Sequence, residues 1–165
     1  MLFRSAILLA IAIPTFLGAR NTANARAAQS NLRNALTAEQ TYYSNQQAFG
    51  NTAGVSTIEP NLQWTDTGPV SASPAQVLVA IDTAATPNGD WVILTAMGKD
   101  KNCWNIAQLN QKVGTAPAGT YYSKTALNGT GNCDSPGSAG LPTAATGPVA
   151  GSAATGTVGT WYQAF

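Results

Sequence analysis

The sequence predicts an α+β fold in which one long N-terminal helix packs on a small antiparallel sheet. Two observations carry that prediction. From Ser5 to Gln47 the chain is dense in Ala, Leu, Arg and Gln, and only Pro14 and Gly18 interrupt it. Further on, short β-branched runs alternate with turn residues, the pattern of strands joined in hairpins. At 165 residues the chain suits one domain plus an appendage.

The helix divides into two parts. Residues Ala6 to Ala19 read AILLAIAIPTFLGA, apolar all round and without charge, but shorter than the roughly twenty residues that span a bilayer. From Asn21 to Gln47 the apolar positions Ala25, Ala28, Leu32, Ala35, Leu36 and Tyr43 recur at helical spacing and make one stripe. Arg20, Arg26 and Arg33 lie off it. Ala28, Leu32, Ala35, Leu36 and Tyr43 are therefore expected to face the sheet. The whole rod would be on the order of 60 Å long at 1.5 Å per residue. Pro14 removes a backbone hydrogen bond and Gly18 loosens the following turn, so a kink or local unwinding is expected there.

Past Gly50 the elements shorten. Gly54, Pro60, Gly68, Pro69 and Pro74 punctuate a connecting region that carries Trp64. Gln76 to Asp82 and Trp91 to Met97 are strands joined through the turn Thr86 to Asp90. A polar turn, Gly98 to Asn102, leads into a third strand, Cys103 to Leu109, and Thr120 to Lys124 is a weaker fourth. Such strands have one face to cover, and the amphipathic half of the helix is available for it. Four segments result: an apolar helix segment at 1–20, an amphipathic half at 21–50, a globular head at 51–134, and an Ala/Gly/Thr-rich region at 135–165. That last region holds an imperfect repeat, AATGPVAGS followed by AATGTVGT, and ends in Trp161-Tyr162-Gln163-Ala164-Phe165. The low-complexity composition alone reads as a flexible surface tail, but such an end left in solvent would be a liability, so it is expected to dock on the sheet or on a neighbouring subunit.

Composition argues against catalysis. Only 9% of residues are charged, the net charge is +1 and there is no His. Serine-histidine and cysteine-histidine dyads and imidazole metal sites are thereby excluded, and the field that draws in nucleic acid is missing. The chain is read as a non-enzyme with no cofactor. The acids Glu39, Glu59, Asp66, Asp82, Asp90, Asp100 and Asp134 are scattered, which gives no calcium loop; Asp82 and Asp90 are expected to cap the hairpin. Cys103 and Cys133 allow one intramolecular pairing and are too few for a zinc or iron-sulfur site. In so neutral a chain a disulfide formed outside the cytoplasm is the favoured reading, with two buried free thiols as the alternative. Lys99, Lys101, Lys112 and Lys124 near Trp104, Tyr121 and Tyr122 could stack and neutralise single-stranded DNA, though lysines on loops are more often just solvated. Asn128-Gly129-Thr130 fits a glycosylation sequon but reads better as a turn.

The run AIAIPTFLGARNTANARAAQSNLRNALTAEQTYY, from Ala10 to Tyr43, resembles the N-terminal helix of type IV pilins and pseudopilins. The Ala-Ile-Ala-Ile-Pro core at Ala10 to Pro14 and the closing Tyr pair are the most specific part. The resemblance implies a pilin-like fold and a structural subunit of an extracellular filament. Such a subunit is held in the cytoplasmic membrane before assembly, handled by pilus assembly machinery, and built into a helical homo-oligomer. Leu8, Leu9, Ile11, Ile13, Phe16 and Leu17 would then pack in the filament core. The family's leader, ending in Gly, and its first-turn Glu would fall upstream of Met1. Leu2-Phe3-Arg4-Ser5 is also what the end of a common sequencing adapter, CTC TTC CGA TCT, encodes, so the natural subunit is expected to be longer at its N-terminus. Two other readings stay open: a pseudopilin of a type II secretion-like machine, and a secreted binding module whose signal peptide is cleaved near Ala19.

Overall fold

A computed structural model of the chain describes residues 3–66, 70, 75–82, 89–113, 117–134 and 161–162, and the side chains of all these except 3–17 and 162. Helix α1 runs from Phe3 to Gln46, 44 residues without a break. The helical backbone continues through Pro14 and Gly18, so of the kink or local unwinding expected there, the unwinding does not occur. A proline inside a helix removes its own N–H bond, and the turns on either side can hold the ladder together. The hydroxyls of Thr22, Thr37 and Thr41 bond back to the carbonyls of Gly18, Arg33 and Thr37, which uses donors that would otherwise compete with the helix.

The helix stops at Gln47, a non-glycine residue in the left-handed region (φ 54°) whose N–H closes on the Tyr43 carbonyl at 2.8 Å. That is the position a helix usually gives to glycine. The chain turns a corner and enters a second helix, α2 (Thr52–Val55), whose N-cap Asn51 accepts from the Gly54 N–H at 3.1 Å. A single turn carries too little periodicity to be read from sequence.

The sheet has six strands in chain order: β1 (Gln63–Thr65), β2 (Gln76–Ile81), β3 (Trp91–Met97), β4 (Asn102–Leu109), β5 (Gly119–Ala126) and β6 (Trp161–Tyr162). The four expected strands are present, shifted by no more than two residues at an end. The sheet is mixed, however, and not purely antiparallel. β1, from the connecting region, pairs parallel with β2 through Gln63 with Gln76 and Thr65 with Leu78. The remaining pairs are antiparallel, including β5 with β6, where Ser123 faces Trp161. Thus Trp161 and Tyr162 dock on the sheet. The turn at Thr86 and the repeat between Ala144 and Thr160 lie outside the described residues, apart from the end of the turn at Asn88 to Asp90, of which Gly89 and Asp90 are described.

Both faces of the sheet are covered, where one was expected. All seven residues of β3 are buried, which fits a run, WVILTAM, that is apolar at every position but Thr95. One face meets α1: Ala28, Leu32, Ala35 and Leu36 join Val77, Val79, Val92, Leu94 and Ile106 in one core, with Tyr43, Trp64, Trp104 and Tyr122 at its margin. The expected inner stripe of α1 is therefore the seam between helix and sheet. The other face carries Trp91, Ile93, Ala107, Leu109, Tyr121 and Trp161, and beyond them Val70, Leu78, Met97 and the two cysteines. A polar row crosses this second face. Thr95 donates to Asn105 at 2.7 Å, and Asn105 donates to Ser123 at 3.1 Å, all three residues being buried. Because each is the cross-strand partner of the next, the row fixes the register of β3, β4 and β5.

Leu32 is fully buried in the helix-sheet core. Leu32→Ala should lower unfolding free energy by about 2–5 kcal/mol, the range for truncating a core leucine. The exposed control Asn34→Ala on the same helix should stay within about 0.5 kcal/mol. Denaturant unfolding of the two variants checks both.

Candidate assembly surface

The functional question centres on how much of α1 the head uses. Among the residues of α1 whose side chains are described, Ala28 is the first that is fully buried, and from there to Tyr43 the inner stripe is taken up by the sheet. Upstream the helix leaves the head. Gly18, Ala19, Arg20, Asn21, Thr22 and Ala23 are all exposed, and Ala25 is only half-buried. Leu8, Leu9, Ile11, Ile13, Phe16 and Leu17 lie further out on the same continuous helix, where side chains are outside the description. Among the described residues no helix is long and apolar enough to cross a membrane. The exposed turns contain Arg20 and Arg26 among small residues, so another helix could approach this part closely.

The disulfide is formed on the second face of the sheet. Cys103 at the start of β4 is bonded to Cys133 with Cα atoms 5.5 Å apart, and both residues are buried. Cys133 also exchanges two backbone hydrogen bonds with Val70, at 2.9 and 3.2 Å. The crosslink thereby joins the connecting region, the sheet and the segment after β5 at one point. The Asn128 turn precedes it: Asn128 Oδ1 accepts from the N–H groups of Thr130 and Asn132, and its Nδ2 donates to Asp134 at 2.8 Å. As expected from the residues, Asn128-Gly129-Thr130 is a turn, and the asparagine amide that glycosylation would need is engaged in it.

The lysines and aromatics do not come together as one exposed platform. Tyr121 is buried on the second face and donates its hydroxyl to the Pro117 carbonyl at 2.8 Å, while Trp104 and Tyr122 pack at the margin of the helix-sheet core. Lys124 Nζ lies 5.3 Å from the Trp104 ring centroid, close enough for a cation–π contact, and Trp104 Nε1 is 3.5 Å from Asp100. Lys101, in the left-handed region at φ 60°, closes the β3–β4 turn with its N–H on the Gly98 carbonyl. The turn that Asp82 and Asp90 are expected to cap lies, from 83 to 88, outside the described residues. Asp90 accepts from the side chain of Gln111, which ties it to the end of β4, and the Asp82 N–H bonds to the Trp91 carbonyl. Among the described residues no three His, Cys, Asp or Glu side chains are placed to hold a metal ion.

One acid escaped the sequence reading. Glu39 is fully buried, its Oε2 accepts from the Gly50 N–H at 2.9 Å, and its Oε1 is buried with no hydrogen-bond partner. Burial pushes its carboxyl up from 4.5 to about 8, with the Gly50 N–H pulling weakly the other way. The signal was available, because residue 39 falls three after Leu36 and four before Tyr43, on the inner stripe itself.

Compared with family models, with curated proteins and with solved structures, the chain matches none.

The loop closed by the disulfide spans a sequence separation of 30. Replacing both cysteines by serine should cost about 2–5 kcal/mol of stability, as loss of a native crosslink in a small domain does. The melting temperature of wild type in reductant should approach that of the double variant.

Proposed function

We propose that the chain is the structural subunit of an extracellular filament of the type IV pilus kind, held at the cytoplasmic membrane before assembly. The observation that carries the reading is the division of labour along α1. Its inner half is consumed by the head, and the same helix runs on outward through the exposed turn Gly18 to Ala23 into a segment of apolar sequence. An apolar rod of this kind can lie in lipid and then exchange lipid for identical rods in a bundle, where Leu8, Leu9, Ile11, Ile13, Phe16 and Leu17 would interlock. The resemblance of Ala10 to Tyr43 to the pilin helix points the same way. The composition supports it too. A filament repeats its subunit surface many times over, and a net charge of +1 per copy keeps the mutual repulsion of identical heads small.

Electron microscopy of cells producing the natural gene product, labelled with antibody against the head, tests the proposal. Filaments labelled along their length are the expected result, and their reconstruction should show a core of α1 helices with Leu8 to Leu17 at the axis. Short stubs confined to the cell envelope would favour the pseudopilin of a secretion machine. A soluble monomer whose intact mass begins just after Ala19 would replace the filament with a secreted binding module.

A further inference from the structure

The corner between α1 and α2 is closely fitted and rests on one carboxyl. A Cβ on Gly50 would come within 2.7 Å of Val55 Cγ1, and one on Gly54 within 2.5 Å of Tyr42 Cε2, so the chain from residue 47 to residue 55 lies tight against the last turns of α1. Its entry is Gln47 in the left-handed region, and α2 is a single turn with Thr52, Ala53 and Gly54 partly or fully exposed. Such an element has little of its own to hold it closed and belongs to the low-stability end of a fold. The bond from Gly50 to Glu39 Oε2 is the hydrogen bond from the middle of the corner to the buried face of α1.

We propose that Glu39 is a proton-controlled latch that keeps the α1–α2 corner closed while its carboxyl is neutral and releases the corner when the proton is lost to water. The reason is geometric. Oε2 is occupied as an acceptor, so the proton resides on Oε1, which is buried without a partner. A neutral carboxyl tolerates that position at modest cost, whereas a carboxylate there has one N–H for its whole charge. Among the described residues no charged neighbour offsets it. α2 carries no ionisable side chain, and the residues that β2, β3 and β4 bring beneath α1 are Val77, Val79, Val92, Leu94, Ala96 and Ile106. On α1 itself the ionisable residues one turn away are the phenols Tyr42 and Tyr43. Past α2, the carboxylates of Glu59 and Asp66 are engaged by Asn61 and Thr52.

The sign follows from linkage. Closed, Glu39 holds its proton up to about pH 8; opened to water, it holds it only to its ordinary 4.5. The closed corner is therefore fully favoured below pH 4.5 and loses stability as pH rises toward 8, after which the loss is complete.

Hydrogen exchange of the full chain in detergent, corrected for the intrinsic pH dependence of exchange, measures this. Protection of amides in residues 47–55 should fall about tenfold per pH unit between about pH 5.5 and 7.5 and level off above 8. In Glu39→Gln, which keeps an acceptor for Gly50 but cannot ionise, corner protection should not vary with pH. Protection in β3 and β4 should hold in both proteins. The same pH profile in wild type and variant overturns the latch, as does a loss of β3 and β4 protection in step with the corner. Carbon NMR of the wild-type Glu39 carboxyl stands independently of whether the variant folds. Titration near pH 8, together with the corner amides, supports the latch, and titration near 4.5 overturns it.

Discussion

The sheet carries more apolar surface than its own strands can hide, and the inner stripe of α1 closes one side of it. Ala28, Leu32, Ala35 and Leu36 supply alternating small and large side chains to a face made of Val77, Val79, Val92, Leu94 and Ile106. The alanines let the helix backbone come close, and the leucines fill what remains. Once the helix is seated, its C-terminal end is fixed, and with it the corner at Gln47, the entry to α2 and the approach of β1 to the edge of β2. The free half of α1 is fixed in direction by the same contact, since the helix is continuous across the head's boundary.

The second face is closed by different means. Its aromatic and aliphatic cluster ends in Trp161, which arrives from the far end of the chain and pairs beside β5. Between that cluster and the disulfide runs the row of Thr95, Asn105 and Ser123, whose polar groups satisfy one another across three strands. A register slip of one residue would move all three to the helix side and put their partners out of reach. The crosslink then fastens the segments that have little secondary structure, at the point where Val70 and Cys133 meet. The connecting region, read as Pro- and Gly-punctuated coil, is thus held by two strong local constraints and a short parallel strand.

Much of this was legible in the residues. The period of α1's stripe named the helix positions that the sheet takes up, the β-branched runs gave the four longer strands, and the solitary cysteine pair gave the crosslink. What escaped detection were features that depend on partners distant in sequence. β1 is a three-residue strand that exists because β2 offers an edge, and β6 is a strand because β5 does. The closure of the second face is foreshadowed by β3, where six of seven residues are apolar on both faces alike, a signal that could have been weighed more heavily. Glu39 was missed for another reason: a carboxyl on an inner stripe contradicts the usual rule that acids stay in water, and only its bond to Gly50 explains its place. At the candidate assembly surface the sequence marked the apolar helix and its resemblance, and the fold added where the head's own use of that helix ends.

The central claim is that residues from Ala28 to Tyr43 belong to the head while the helix before them is free for other contacts. Thermal unfolding of two shortened chains, one beginning at residue 24 and one at residue 37, tests it most directly. The account predicts a cooperative transition for the first, with strand content intact. The second lacks Ala28, Leu32, Ala35 and Leu36, and should show no cooperative transition and exposed apolar surface. A chain from residue 37 that melts like the longer one would contradict the account, because the sheet would then stand without the helix that is argued to close it.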